Sequence, residues 1–397
     1  DGRRYLDVYN NVAAVGHGHP DVVAALASQA AVLATHTRYV EEHVLDYAEQ
    51  LLALFPQPLS RAMLTCTGSE ANDLALRIAS ASTGGTGVIV TRMAYHGVTS
   101  AVAQISPSLG NGVPLGSYVR TIDAPDSYRN PNVDIGEAFK YGVKTAIEDL
   151  QRHGIQPAAL IVDTIFSSDG VFADPAGFLA PAVEEIRSAG GVFIADEVQA
   201  GFGRTGTHMW GFERHGLIPD IVTLGKPMGN GYPMAGVVSR PELIDAFAAT
   251  SRYFNTFAGN PVASAVGSAV LNVIHNERLL ENVRDIGAYL KAGLDNLKES
   301  FDVVGDVRAA GFFLGVELVT DKATKTASPE VAHSLVNLMR NKGVLISATG
   351  PWANVLKLRP QLIFRREHAD LFLEQLKESL LDIKSAHLLN ASRLNYP

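Results

Sequence analysis

The sequence predicts an α/β fold: a large domain with a mostly parallel central sheet flanked by helices, followed by a smaller α+β domain. Three observations carry that expectation. Four short apolar runs, residues 87–91, 158–163, 191–196 and 220–225, read as strands buried on both faces. Helical patterns over residues 70–81, 140–153 and 181–189 lie between them, and strand–helix alternation builds a layered sheet. After Asn260-Pro261 the alternation stops, and two long helical patterns, 262–275 and 277–299, lead into a mixed region.

In that mixed region, residues 312–318 and 355–358 read as strands and residues 328–342 and 367–384 as helices. The expected division is an N-terminal segment over 1–44, a large domain over 45–290 and a small domain over 291–397. Residues 4–15 are expected to join the small domain or a dimer edge. Residues 320–328 and 109–116 read as surface loops. No internal repeat or low-complexity linker interrupts the chain.

Composition bounds the function. Of 397 residues, 47% are hydrophobic and 19% charged, an ordinary globular balance. Lys plus Arg total 33 against 41 Asp plus Glu, a net charge of −8 that argues against nucleic-acid or acidic-membrane partners. Cys66 is the sole cysteine, so no intrachain disulfide forms. No apolar run reaches transmembrane length, and Asp1-Gly-Arg-Arg does not open a signal peptide. The expectation is a soluble, cytoplasmic protein.

Three features carry chemistry. The run Thr65-Cys-Thr-Gly-Ser-Glu-Ala-Asn72 enters a helix, where exposed N–H groups and small hydroxyls make an anion site. A plain N-cap by Thr67 or Ser69 explains it equally. Asp196 ends an apolar strand, where ligands of open parallel sheets bind; alternatively it caps the next turn. Lys226 closes the run 221–224 ahead of Pro227-Met-Gly-Asn-Gly231. Lost hydration there lowers a lysine's pKa toward nucleophilic competence, although a solvated strand-end lysine is the plainer reading. Taken together, a phosphate site, a carboxylate and a lysine match what pyridoxal phosphate needs: preorganised phosphate donors, an acid for its ring nitrogen and a Schiff-base lysine.

At these residues the chain resembles the class III (subgroup II) aminotransferase family of fold-type I pyridoxal-phosphate enzymes. The resemblance runs through Gly190-Gly-Val-Phe-Ile-Ala-Asp-Glu-Val-Gln-Ala-Gly-Phe-Gly-Arg-Thr-Gly206, Pro219-Asp-Ile-Val-Thr-Leu-Gly-Lys226 and Tyr253-Phe-Asn-Thr-Phe-Ala-Gly-Asn-Pro261. It implies that Gly68 and Ser69 donate to the cofactor phosphate, and that Tyr95, in Tyr95-His96-Gly97, and Val198 cover the two ring faces. It further implies that Asp196 pairs with the ring nitrogen and Gln199 with the phenolic oxygen. Thr256 would reach the phosphate of the neighbouring subunit, which implies a homodimer. The resemblance implies no metal ligand.

Departures from the transaminase pattern point to a subgroup. Where transaminases carry a Glu-Pro-φ-Gln-Gly-Glu-Gly-Gly-like run, this chain has Asp163-Thr-Ile-Phe-Ser-Ser-Asp-Gly170. Aligning Pro360-Gln-Leu362 to the family's Pro-Pro-Leu-like turn puts Lys357 where an arginine grips the substrate carboxylate, with Arg359 two residues on. Gly225-Lys-Pro-Met-Gly-Asn-Gly231, His208-Met-Trp210 and Thr35-His-Thr-Arg-Tyr39 are similar to the ethanolamine-phosphate and phosphohydroxylysine phospho-lyases. The expected reaction is therefore phosphate elimination from ethanolamine phosphate or a close phosphorylated amino alcohol. The alternative is amino transfer of alanine–glyoxylate or ω-amino type. Lys226 serves as general base in either. Elimination also needs donors for the leaving phosphate, and the candidates are Arg38, His36, Ser167, Ser168 and Lys357. The first four have a plainer role: an ion pair for Arg38, turn residues for the serines, a packed or exposed ring for His36.

Overall fold

The structure is a computed structural model that describes residues 2–394, with side chains through residue 385. Residues 1 and 395–397, the ends of the expected N-terminal segment and small domain, lie outside the described residues.

A seven-stranded sheet forms the centre, in the spatial order Arg61–Thr65, Ala235–Ser239, Ile221–Leu224, Val192–Asp196, Pro157–Asp163, Gly87–Thr91 and Val119–Ile122. The last five are mutually parallel. Ala235–Ser239 runs antiparallel to both of its neighbours. The apolar runs are continuous because both faces are covered. Leu160, Phe193 and Val222 pack on one side with Phe139, Val143 and Ile186. Ile161, Ile194 and Ile221 pack on the other with Leu74, Ile78 and Phe247. Alternate residues of one strand thus serve opposite cores.

Helix starts differ from the sequence expectation, and capping explains why. The helix Gly68–Thr83 begins two residues early because Thr67 and Glu70 form a capping box. Thr67 Oγ1 accepts from the Glu70 N–H at 3.2 Å, and Glu70 accepts from the Thr67 N–H at 3.1 Å. The helix Ile135–Arg152 begins five residues early, capped by Asp134. Three strands of the sheet were not read from the sequence, Ala235–Ser239 among them. Arg61-Ala-Met-Leu-Thr65 is built largely from helix formers and becomes a strand by pairing with Ala235–Ser239. Val119–Ile122 is a four-residue edge strand.

The second, five-stranded sheet contains Val304–Ala310, Phe313–Asp321, Thr326–Ala327, Ser347–Thr349 and Val355–Leu358. The stretch 320–328 is therefore more than a loop: it holds the end of one strand and a short paired one. Helices Leu279–Ser300, Pro329–Asn341 and Arg366–Leu394 accompany this sheet. The chain's opening stretch is stitched to this C-terminal region, in part through a separate two-stranded sheet. Leu6–Asp7 pairs in parallel with Val344–Leu345, the Arg359 N–H donates to Val8 O at 2.8 Å and the Leu362 N–H to Ala14 O at 2.7 Å. Among the described residues no helix is long and apolar enough to cross a membrane.

Candidate active site

The parallel strands deliver their carboxyl ends to one edge of the sheet. Asp163 and Asp196 are register partners on neighbouring strands, so two acids stand side by side there. Asp196 in turn pairs with Thr223, three residues before Lys226. Gly225 lets the Lys226 strand end approach the helix start, because a Cβ there would lie 3.3 Å from Gly68 Cα. Lys226 then opens a one-turn 3₁₀ helix, Lys226–Gly229, with φ +24°. A non-glycine residue held there costs about 1–3 kcal/mol, and such strain gathers at functional sites.

These elements enclose a cavity of about 210 Å³. Gly68, Ser69, Tyr95, His96, Asp196, Val198, Gln199 and Lys226, the expected cofactor contacts within one subunit, all line it. Gly97 and Asp163 complete the wall. A larger groove of about 640 Å³ runs beside the helix Ile135–Arg152. Its lining has no lysine or histidine, so size alone does not make it the site.

Asp196 is held by three donors. His96 Nδ1 lies 2.7 Å and Asn72 Nδ2 3.0 Å from its Oδ2. The Val198 N–H donates to Oδ1 at 3.1 Å. Asn72, a buried polar residue on the inward face of its helix, is a site member that sequence reasoning did not assign. Only its position one turn after Gly68 hinted at it. Ser69 Oγ accepts from the Val98 N–H at 3.1 Å. Gly97 takes φ +139°, and a Cβ on it would fall 2.4 Å from Ser69 Oγ, so the loop closes over Ser69 only as glycine.

Burial drives the electrostatics. Lys226 is pushed below the usual lysine range first by burial and then by Arg359, against the pull of Asp196 and Asp163. Burial raises Asp163, with Asp196 adding to it and Ser167 opposing. Asp169 is pushed up to about 7 by burial, while its carboxylate takes bonds from Thr91 Oγ1 and the Met93 N–H. Lys357 is buried and lowered to about 7, first by burial and then by Arg359. Arg359 also lies buried, and its Nη1 donates to Gln199 Oε1 at 3.1 Å.

The substrate-phosphate candidates divide. Lys357 is not on the cavity wall but lies within the electrostatic reach of Lys226 and Asp163. Ser167 is fully buried and lies behind Gln199, whose Nε2 donates to its Oγ at 2.6 Å. Ser168 binds through its backbone carbonyl, which accepts from the Gly350 N–H at 3.2 Å. Arg38 and His36 are not on the cavity wall. Arg38 lies 4.1 Å from the Phe254 ring centroid, and His36 stacks on Tyr39 at 5.1 Å. Thr256 is exposed two residues beyond Phe254. The structure thus groups Arg38 and His36 with the segment bearing Thr256, on the surface of this subunit.

The cavity fits pyridoxal phosphate by its donor set. Gly68 and Ser69 lie in the first turn of a 16-residue helix, where N–H groups have no intrahelical partner. A Cβ on Gly68 would sit 3.0 Å from Val198 Cγ1, so the cradle needs glycine. Asp196 and Lys226 supply the acid and the amine. The buried His96 Nε2 has no partner among the described residues.

Known proteins agree with this reading. The Aminotransferase class-III family profile matches residues 1–380. The chain is 42% identical to the alanine–glyoxylate aminotransferase 2-like protein of Drosophila melanogaster, over 99% of this chain and 82% of that one. It is 35% identical to ethanolamine-phosphate phospho-lyase homolog 1 of Caenorhabditis elegans, over 92% and 82%. Among solved structures, a phospholyase from Arthrobacter in complex with phosphoethanolamine superposes with a TM-score of 0.92 at 44% identity, over 95% and 90%. The chain belongs to the class-III aminotransferase family and is an enzyme of that pyridoxal-phosphate class.

Proposed function

We propose that the protein is a phospho-lyase that removes phosphate from ethanolamine phosphate, or a close phosphorylated amino alcohol, leaving aldehyde and ammonia. The observation that carries this reading is Lys357. A transaminase clamp needs an arginine's bidentate fork for a carboxylate, whereas a buried lysine is a point charge suited to a phosphate. The likeness to a phospholyase solved with phosphoethanolamine supports the same substrate class.

The residues divide the work. Bound pyridoxal phosphate supplies an electron sink for the carbon that carries the substrate nitrogen. Lys226 would hold the cofactor covalently and, once displaced, take the proton from that carbon at its Nζ. Its lowered pKa leaves the amine free to accept it. Asp196, fixed by His96 and Asn72, would hold the ring nitrogen protonated. Gly68 and Ser69 would anchor the phosphate, and Val198 and Tyr95 would confine the ring. Lys357 would stabilise charge on the departing phosphate.

A homodimer with Thr256 crossing to the neighbouring cavity belongs to this proposal. The exposed Phe254 and Phe257 beside Thr256 support it, and Arg38 and His36 would then act near the partner's site. A cytoplasmic setting is proposed with it.

Incubation with ethanolamine phosphate and no keto acid tests the reaction. Equal release of phosphate, acetaldehyde and ammonia supports elimination. Silence there, with amino transfer from alanine to glyoxylate, would establish the second reading, which the likeness to the Drosophila protein favours.

A further inference from the structure

We propose that Arg359 is a positioning residue that locks the amide of Gln199 so that an N–H, not the carbonyl, faces the cofactor cavity. The proposal rests on the cavity being the cofactor site. Arg359 follows the strand Val355–Leu358, and the residue is 8% exposed. Arginine donates hydrogen bonds and accepts none. The Gln199 atom 3.1 Å from Arg359 Nη1 must therefore be Oε1, whichever way an amide might otherwise turn. That choice turns Nε2 toward Ser167, where it donates to Oγ at 2.6 Å. Ser167 completes the chain through its backbone, whose N–H donates to Asp163 Oδ2 at 3.0 Å.

The four groups form a one-way line: Arg359 to Gln199 to Ser167 to Asp163. Every link has a donor on one side and an acceptor on the other, so reversing one member leaves two donors facing each other. Gln199 lines the cavity, and its second Nε2 hydrogen is the one the line leaves over. An acceptor oxygen on the cofactor would meet a fixed donor with no reorganisation, which is the arrangement that makes such contacts effective.

Burying this cation is otherwise costly. Its Nε has no partner among the described residues. Arg204, Lys357 and Lys226 crowd the same region as like charges. Tyr9, whose ring centroid lies 4.7 Å away, and the acids Asp7 and Asp163 offset part of that. A buried arginine retained among like charges is explained by what it orients. Arg359 is thus committed to Gln199, which leaves Lys357 as the cation at this strand end without that task.

The test is a pH titration of the visible absorbance of the lysine-linked cofactor, with the cofactor dissociation constant measured beside it. Arg359→Met is expected to move the spectroscopic midpoint by about one pH unit and to weaken cofactor retention about tenfold. Arg359→Lys, also a pure donor, is expected to restore most of both. In the Gln199→Ala background, Arg359→Met is expected to add nothing, because the line is already cut. Additive effects of the two substitutions, or a parent-like titration of Arg359→Met, would overturn the proposal. If Arg359→Met does not fold, Ser167→Ala cuts the next link. It should shift the midpoint in the same direction, and a parent-like titration would then overturn the line. Should Gln199→Ala itself titrate like the parent, the placement of the cofactor fails first, and that outcome is distinct from a failure of Arg359 alone.

Discussion

Replacing Lys357 with methionine should make the protein more stable at neutral pH while weakening its hold on phosphorylated substrate. Methionine nearly matches the length of lysine and adapts to apolar surroundings such as the Phe313 ring, whose centroid lies 5.6 Å from Lys357 Nζ. In the folded protein Lys357 loses its proton at about pH 7, against 10.5 for an ordinary lysine. Between those values the unfolded chain binds more protons than the folded one, so the parent's stability rises with pH across that window. At 1.36 kcal/mol per pH unit, the charge costs the folded state roughly 5 kcal/mol at and below pH 7 and nothing above 10.5. Packing changes offset part of the gain in the variant. The informative quantity is the gap between Lys357→Met and parent. It should be largest at pH 7 and shrink by roughly 1.4 kcal/mol for each pH unit above it. Denaturant unfolding at a series of pH values measures it directly. A gap of the same size at pH 7 and pH 9.5 would refute the argument, because Lys357 would then be charged in both states. The functional counterpart is a loss of about 10–100-fold in kcat/KM for ethanolamine phosphate, from one charge-assisted hydrogen bond of about 1.5–3 kcal/mol.

Three further outcomes follow from the geometry. Lys226→Ala should abolish both turnover and the visible absorbance of the covalently held cofactor; persistence of the colour, read by spectrophotometry, would move the covalent link elsewhere. Glu197→Ala should lower stability by about 2–6 kcal/mol, since it strands the buried N–H groups of Gly211 and Phe212, which now donate to it at 2.7 and 2.8 Å. Chemical denaturation measures that loss, and a change below 1 kcal/mol would show that the two N–H groups find other partners. Gly97→Ala adds a Cβ 2.4 Å from Ser69 Oγ at a φ of +139°. It should weaken cofactor binding about tenfold without loss of the helix Gly68–Thr83, as read by equilibrium dialysis and circular dichroism.

Much of this site was legible in the sequence because it sits at the ends of apolar runs. Asp196 and Lys226 each terminate a strand whose hydrophobic pattern is unbroken, so sheet geometry alone brings them to one edge. The small residues of Thr65–Asn72 marked the helix start for the same local reason, although the capping box placed that start two residues earlier. What stayed hidden was non-local. Asn72 reaches Asp196 across 124 positions, and Arg359 reaches Gln199 across 160; no periodicity records such pairs. Ser167 is a candidate donor because elimination needs hydroxyls near the leaving phosphate, and its full burial behind Gln199 is a tertiary fact that no local pattern records. The strand Arg61–Thr65 was hidden because its residues favour helix, and only its pairing with Ala235–Ser239 decides otherwise.

The most direct measurement is a product count per subunit with excess ethanolamine phosphate and no amino acceptor. Elimination regenerates the starting enzyme, so many equivalents of phosphate should appear while the visible absorbance of the cofactor persists. A transaminase would stall after one equivalent of substrate, release no phosphate and lose that absorbance, and this result would contradict the assignment of Lys357 to a leaving phosphate.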